Sequence, residues 1–147
     1  DGRFGRLLAG VRVLMGGMFC GIARASLEYA LEYTSQRTAF GQVIAQFQGI
    51  SFVAADMHIE NDGATLGVLK AAWALDNGLP EAERLASQAF VAASRAALFS
   101  SNWAVQLLGG HGYTFDYPVE KWMRDARALA TNSGQEEALM HLSDTAL

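Results

Sequence analysis

Two short segments carry residue types that could bind a ligand: residues 37–41, which read Arg-Thr-Ala-Phe-Gly, and residues 106–113, which read Gln-Leu-Leu-Gly-Gly-His-Gly-Tyr. Arg37 could donate two hydrogen bonds to a phosphate, or it could be a solvated loop arginine. The glycines of the second segment could let the main chain approach a ligand, or they could only end a helix. Taken alone, each feature is explained more simply by structure than by binding. The glycines follow a predicted helix, which argues against a Rossmann fingerprint.

The other reactive side chains form no recognisable site in the sequence. His58 and Glu60 are not spaced like the ligands of a zinc helix, and His111 and His141 belong to no ligand cluster. Cys20, the single cysteine, stands in an apolar run without an activating neighbour, which predicts a buried and inert thiol. One cysteine excludes an internal disulfide and favours a reducing compartment, here the cytoplasm.

Composition limits the class of protein. A chain of 147 residues, 51% of them hydrophobic, is expected to form one domain with a single core. A net charge of -4 gives no electrostatic reason to expect a nucleic acid partner. The apolar run at residues 13–23 is shorter than a bilayer-spanning helix, so we predict a buried helix and no membrane span. The first residue is Asp1 rather than methionine, as is expected of an excised domain or a fragment.

Helical signals dominate the elements that must position these residues. Apolar periodicity, few internal breakers and a Ser133–Glu136 capping box predict helices over residues 4–35, 47–76, 80–108 and 118–130, and a last one beginning near Ser133. Residues 37–46 are predicted to form a loop, and no strand is predicted. Long helices joined by short loops indicate an all-α, up-down helical bundle over residues 1–147.

The same periodicity predicts which faces of the long helices pack. In the first helix the regularly spaced apolar residues are Leu7, Val11, Leu14, Met15, Met18, Ile22, Ala25 and Tyr29. In the second they are Ile50, Val53, Ala54, Met57, Ala64, Val68, Ala71 and Leu75. The third helix has a small face suited to tight packing, formed by Ala86, Ala89, Ala93, Ala96 and Ala97. Gly16, Gly17 and Gly21 are expected to let another helix or a ligand approach closely.

Three separated motifs, in order and at the expected spacing, resemble the C-terminal helical domain of acyl-CoA dehydrogenases. They are residues 37–41, the following Phe47-Gln48, and the block from Gln106 to Arg127, and the resemblance covers residues 6–138. It implies a helical bundle that forms the core of a tetramer, with FAD as the cofactor. The family's N-terminal helical domain and middle β-domain are not represented in residues 1–147.

The resemblance also implies roles for individual residues. FAD contacts are implied for Arg37 at the pyrophosphate of a neighbouring subunit's flavin, for Phe40 and Gln48 at its adenosine half, for the main chain of Gln106, Leu107, Leu108, Gly109 and Gly110, and for Gln135, Glu136 and Glu137. Arg12 matches an arginine of the substrate-binding stretch, and Gly134 matches the glycine beside the thioester.

The catalytic base of the family is missing. The family reaction removes the α-proton of an acyl-CoA with a carboxylate, while the β-hydride passes to the flavin. Most members carry the glutamate where this chain has Ser133, and a minority carry it where this chain has Val11. Valine cannot abstract a proton, and an unactivated serine is a poor base. We interpret Glu136 and Glu137 as first-turn helix carboxylates that point elsewhere.

These observations leave several functions open. The chain could be part of a subunit that lends flavin contacts to a catalytic homologue, or to other copies of itself, in a tetramer-like assembly. The substrate would then be an acyl-CoA thioester, and the electron acceptor an electron-transferring flavoprotein. It could belong to a flavin monooxygenase-type relative, which needs no α-proton base. It could also be a non-enzymatic helical oligomerisation module. In each case we predict that the isolated chain does not turn over acyl-CoA.

Overall fold

The computed structural model describes residues 2–132, 134, 138, 139 and 142. Within these residues the chain forms four α-helices: α1 (Gly2–Gln36), α2 (Gln48–Asp76), α3 (Ala82–Leu108) and α4 (Val119–Asn132). Short 3-10 turns occupy Ile44–Gln46 and Gly109–Tyr113. The predicted all-α, up-down bundle is confirmed, and the helix ends lie within about two residues of those expected from breakers and periodicity. The last helix, predicted to begin near Ser133, lies outside the described residues.

The prediction of a loop without strands between the first two helices is wrong, because this segment contains two short strands. Thr38–Ala39 (β1) and Gln42–Val43 (β2) form an antiparallel ladder that pairs Thr38 with Val43 and Ala39 with Gln42. The two turn residues, Phe40 and Gly41, have φ angles of 52° and 83°, as a two-residue hairpin requires. Strands of two residues are too short to show an alternating pattern in the sequence.

Helix α3 lies at the centre of the bundle, packed against α1, α2 and α4. Its alanine face is buried, as predicted. Small side chains let the neighbouring helices come close, and a Cβ atom placed on Gly16 of α1 would lie 2.9 Å from Cγ2 of Val68. A Cβ on Gly17 or Gly21 would meet nothing within 4 Å, so no helix of this chain packs closely there and the expected approach of a helix or ligand at these two positions stays a prediction.

The face that α1 buries differs from the one its spacing suggested. Leu7, Leu14 and Met18 are exposed, whereas Phe19 is fully buried and meets the ring of Phe90 edge-on at 5.9 Å. Because α1 is apolar around most of its circumference, periodicity cannot select one stripe. The alanine-rich surface of α3 makes that selection instead. The stripe predicted for α2 is confirmed, with its members buried or half-buried.

The prediction of no membrane span considered only residues 13–23, and the apolar stretch of α1 is longer than that. Among the described residues one helix, α1, is long and apolar enough to cross a bilayer by length and composition alone. The core helices of soluble proteins pass the same test, and α1 packs along α3. Less than a third of its most apolar stretch is buried inside this chain.

A buried polar bridge ties the three long helices together. Asn61 of α2 donates from Nδ2 to the carbonyl oxygen of Ala23 on α1 at 3.0 Å. Its Oδ1 accepts from the hydroxyl of Ser100 on α3 at 2.8 Å. Because a buried amide is costly without partners, this bridge favours one register of the three helices over sliding alternatives.

Candidate functional site

One cavity brings together Arg37 and the glycine segment, which lie about seventy residues apart in the chain. It has a volume of about 390 Å³ and is lined by Tyr33, Arg37, Ala39, Ile44, Gln106, Leu107, Leu108, Gly109, Gly110 and His111. No acidic residue is among them. The cavity therefore offers an arginine and exposed main chain, with no lining carboxylate to repel an anion.

Arg37 is held by its main chain and presented by its side chain. Its N–H donates to the carbonyl of Tyr33 at 3.0 Å, and its carbonyl accepts from the N–H of Ile44 at 2.8 Å. The residue thus continues the last turn of α1 into the hairpin. Its side chain is exposed and forms no ion pair within the part of the chain that the structure describes. A guanidinium so placed is available to a phosphate.

A second cavity, of about 360 Å³, shares Tyr33 and Arg37 with the first. Its lining consists of Tyr29, Glu32, Tyr33, Gln36, Arg37 and Tyr117. Glu32 makes it a poorer place for an anion, since like charges in one cavity repel. The first cavity is therefore the better candidate site.

The glycine segment presents main chain because of its local geometry. Helix α3 ends at Gly109, whose φ of 60° and ψ of −133° are suited to glycine. A Cβ atom on the exposed Gly110 would meet nothing within 4 Å, so the space before this main chain is open to a ligand. Leu108, at the inner side of this cavity, is only 3% exposed and belongs to the core.

Phe40 and Gln48 do not line this cavity. Phe40 is 96% exposed at the hairpin tip with a positive φ, and its ring meets that of Phe47 edge-on at 6.3 Å. An exposed aromatic residue in a strained conformation is a known mark of a contact site. Gln48 is exposed at the start of α2.

Of the two predicted substrate residues, Arg12 lies in the first third of α1 and Gly134 follows α4. Arg12 is only 7% exposed and donates from Nη1 to the hydroxyl of Ser87 at 2.7 Å. It is roughly 37 Å from Arg37 at about 1.5 Å of helix rise per residue. Val11, at one of the two base positions, is 44% exposed. Gly134 has a φ of 72°, whereas Ser133, Gln135, Glu136 and Glu137 lie outside the described residues.

Sequence reasoning missed a polar aromatic cluster beside Arg37. Tyr33 and His111 share a hydrogen bond of 2.7 Å between Oη and Nδ1. The ring of Tyr117 lies 5.1 Å from the His111 ring and 6.2 Å from the Tyr33 ring. The available signal was the position of Tyr33 one helical turn before Arg37, on the same face. The sequence by itself places His111 in no ligand cluster.

The fold and the cavity define a helical domain with an exposed arginine beside a glycine turn. The family model "Acyl-CoA dehydrogenase, C-terminal domain" matches residues 4–146. The chain therefore belongs to the acyl-CoA dehydrogenase family, a family of FAD-dependent oxidoreductases, and corresponds to its C-terminal helical domain.

Individual relatives agree with this placement. The chain is 41% identical to "Probable acyl-CoA dehydrogenase YngJ" of Bacillus subtilis (strain 168), over 88% of this chain and 34% of that protein. It superimposes on butyryl-CoA dehydrogenase from Megasphaera elsdenii with a TM-score of 0.92 and 36% identity, over 97% of this chain and 38% of that one. A chain in a structure of the electron transferring flavoprotein of Acidaminococcus fermentans gives a TM-score of 0.92 at 34% identity, over 95% and 37%. This chain thus spans just over a third of their lengths.

Proposed function

We propose that this chain is a flavin-contacting domain of an acyl-CoA dehydrogenase-type protein, and that it supplies no catalytic base of its own. The observation that carries the proposal is the cavity shared by Arg37 and the segment from Gln106 to Gly110. The two base positions hold Val11 and Ser133 instead of a carboxylate. Flavin-side groups are therefore retained where the proton-abstracting group is absent.

The residues present fit an FAD. The guanidinium of Arg37 would bind a pyrophosphate, and the open main chain at Gly110 permits close approach by a flat or charged group. Bound FAD would supply a hydride acceptor for α,β-dehydrogenation of an acyl-CoA thioester. This chain would contribute charge neutralisation and position, and the carboxylate would have to come from elsewhere.

The distance between the two arginines supports an assembly. Arg12 lies in the first third of α1 and Arg37 directly follows its last residue, so the two are roughly 37 Å apart at about 1.5 Å of rise per residue. The two arginines would therefore serve different ligands or different copies. We propose a tetramer-like complex with itself or with a homologous subunit, with acyl-CoA as substrate and an electron-transferring flavoprotein as acceptor. A cytoplasmic location stays a prediction.

Native mass spectrometry of the full-length protein, purified gently from its source, tests this proposal. We expect FAD in a complex that includes a homologous chain carrying the missing carboxylate. A homo-oligomer with a full flavin complement would contradict the partner-subunit part, and rapid oxygen consumption with a hydroxylated product would favour monooxygenase chemistry. A flavin-free oligomer would favour a helical oligomerisation module.

The substitution Ser133→Glu tests the missing base directly. In the flavin-loaded full-length protein, we expect it to permit bleaching of the flavin absorbance by an acyl-CoA, because a carboxylate then occupies a family base position. The matched variant Ser133→Gln has the same size without a base, and it should leave the flavin oxidised. If neither variant bleaches with any acyl-CoA, the substrate pocket has also changed.

A further inference from the structure

We infer that Tyr33 and His111 form a positioning pair that holds the glycine turn and Arg37 in the arrangement that FAD binds. The inference rests on the proposed function, because it concerns the affinity of that site for the flavin. It assigns a purpose to a cluster that the sequence reasoning left unused.

Tyr33 is bonded to both halves of the cavity. Its carbonyl accepts a hydrogen bond from the N–H of Arg37 at 3.0 Å, which fixes the main chain of Arg37. Its hydroxyl shares the 2.7 Å hydrogen bond with Nδ1 of His111, the residue directly after Gly109 and Gly110. Tyr33 therefore contacts Arg37 through its main chain and, through its side chain, a residue seventy-eight positions further along the sequence.

His111 is also fixed by its own main chain and by Tyr117. Its carbonyl accepts from the N–H of Thr114 at 3.2 Å and from the Thr114 hydroxyl at 3.0 Å. The Tyr117 ring contacts the imidazole at a centroid distance of 5.1 Å. The turn is therefore anchored immediately after its two exposed glycines.

Such an anchor is needed because glycines are the most flexible residues in the chain. Two adjacent glycines lose much conformational entropy when they adopt one geometry for a ligand. A hydrogen bond that holds the next residue lowers this cost before the flavin arrives, and preorganisation of this kind increases affinity. The pair acts on position only, since neither side chain is required to contact reacting atoms.

The test uses four variants of the full-length protein and the dissociation constant of FAD. Tyr33→Phe and His111→Phe keep an aromatic ring but remove the bond, and we expect each to weaken FAD binding about three- to tenfold. The double variant should bind FAD no more weakly than either single variant, because the two substitutions remove the same hydrogen bond. His111→Asn should stay within about twofold of wild type, because its amide presents a polar atom at the same bond distance from Cγ as Nδ1.

A second readout does not depend on the flavin. In the FAD-free protein, amide hydrogen exchange at residues 109–111 should be faster in Tyr33→Phe and His111→Phe than in wild type and His111→Asn. The melting temperature should change little, since His111 is exposed and Tyr33 is only half-buried. Rescue by asparagine separates a positioning bond from simple packing of the imidazole.

The outcomes distinguish this inference from the proposed function. If Arg37→Ala loses FAD while Tyr33→Phe binds like the surface control Arg24→Ala, the inference is wrong and the proposed function stands. If His111→Asn is as weak as His111→Phe, ring packing rather than the bond is responsible, which also overturns it. If the wild-type protein binds no FAD, both fail together.

Discussion

The two ends of helix α1 carry the same residue type in opposite surroundings. At the C-terminal end, Arg37 is exposed beside a cavity lined by main chain and by no carboxylate. Nearer the N-terminal end, Arg12 is buried and bonded to Ser87, and its neighbour Val11 is 44% exposed. One arginine is available to a ligand, and the other is partly committed to the fold. The difference shows that burial and a hydrogen-bond partner, and not residue type alone, decide whether an arginine is open to solvent.

The largest expected effect is on stability, and it comes from a glycine of the glycine turn that is needed for folding rather than for binding. A Cβ atom on Gly112 would overlap the carbonyl oxygen of Val105, so Gly112→Ala should destabilise the protein by about 3 kcal/mol. Gly110→Ala is the matched control, since its Cβ meets nothing within 4 Å. It should leave the denaturation midpoint unchanged and weaken FAD binding by filling the space before the main chain. Equal stability of the two variants would contradict this reading of the turn.

The next effect tests the exposed arginine. Arg37→Ala should weaken FAD binding more than about tenfold, because a charge-assisted bond to phosphate is worth about 1.5–3 kcal/mol. Isothermal titration of the full-length protein with FAD measures it. Arg24→Ala, on the same helix and paired only with Glu28 on the surface, is the control and should bind normally. Unchanged affinity in Arg37→Ala would remove the arginine from the site.

A smaller effect tests the buried arginine. Ser87→Ala removes the hydroxyl that accepts from Arg12 and should cost about 1.5 kcal/mol of unfolding free energy. Ser94, equally buried on α3, has no hydrogen-bond partner for its hydroxyl among the described residues. Ser94→Ala should therefore be neutral or slightly stabilising in chemical denaturation. If the two variants unfold at the same denaturant concentration, Ser87 does not stabilise Arg12.

The smallest effect concerns the thiol of Cys20, which was predicted to be buried but is only half-buried. Burial raises the pKa of Cys20, and the side chain of Thr65 offsets this in part by favouring the thiolate. The thiol should thus stay protonated at pH 8, and iodoacetamide should alkylate it more slowly in the folded protein than in denaturant. Mass spectrometry over time measures the rate. Alkylation as fast as in the unfolded chain would contradict the predicted inert thiol.

Much of the fold was predictable because helix ends are local events. Asn77-Gly78, Pro80 and Gly109 act within one turn of their own positions, and the helix bounds follow from them. The buried face of α1 was not predictable, since its apolar residues surround the axis. The hairpin at residues 38–43 was not predicted, because strands of two residues are too short to show an alternation of apolar and polar residues.

The candidate site likewise has features that the sequence predicts and features that it does not. Arg37 and the glycine segment could be named from resemblance to a family. Their common cavity, the exposure of Phe40 and the link through Tyr33 and His111 depend on contacts between distant parts of the chain. No pattern within one helix records such contacts.

The sequence by itself determined the helices and the family, and it determined that Val11 and Ser133 cannot serve as the family's carboxylate base, because residue type and helix signals are local properties. Only the tertiary structure decided that Arg12 is buried while Arg37 is exposed. That difference arises from α3, which supplies Ser87 to one arginine and the glycine turn to the other.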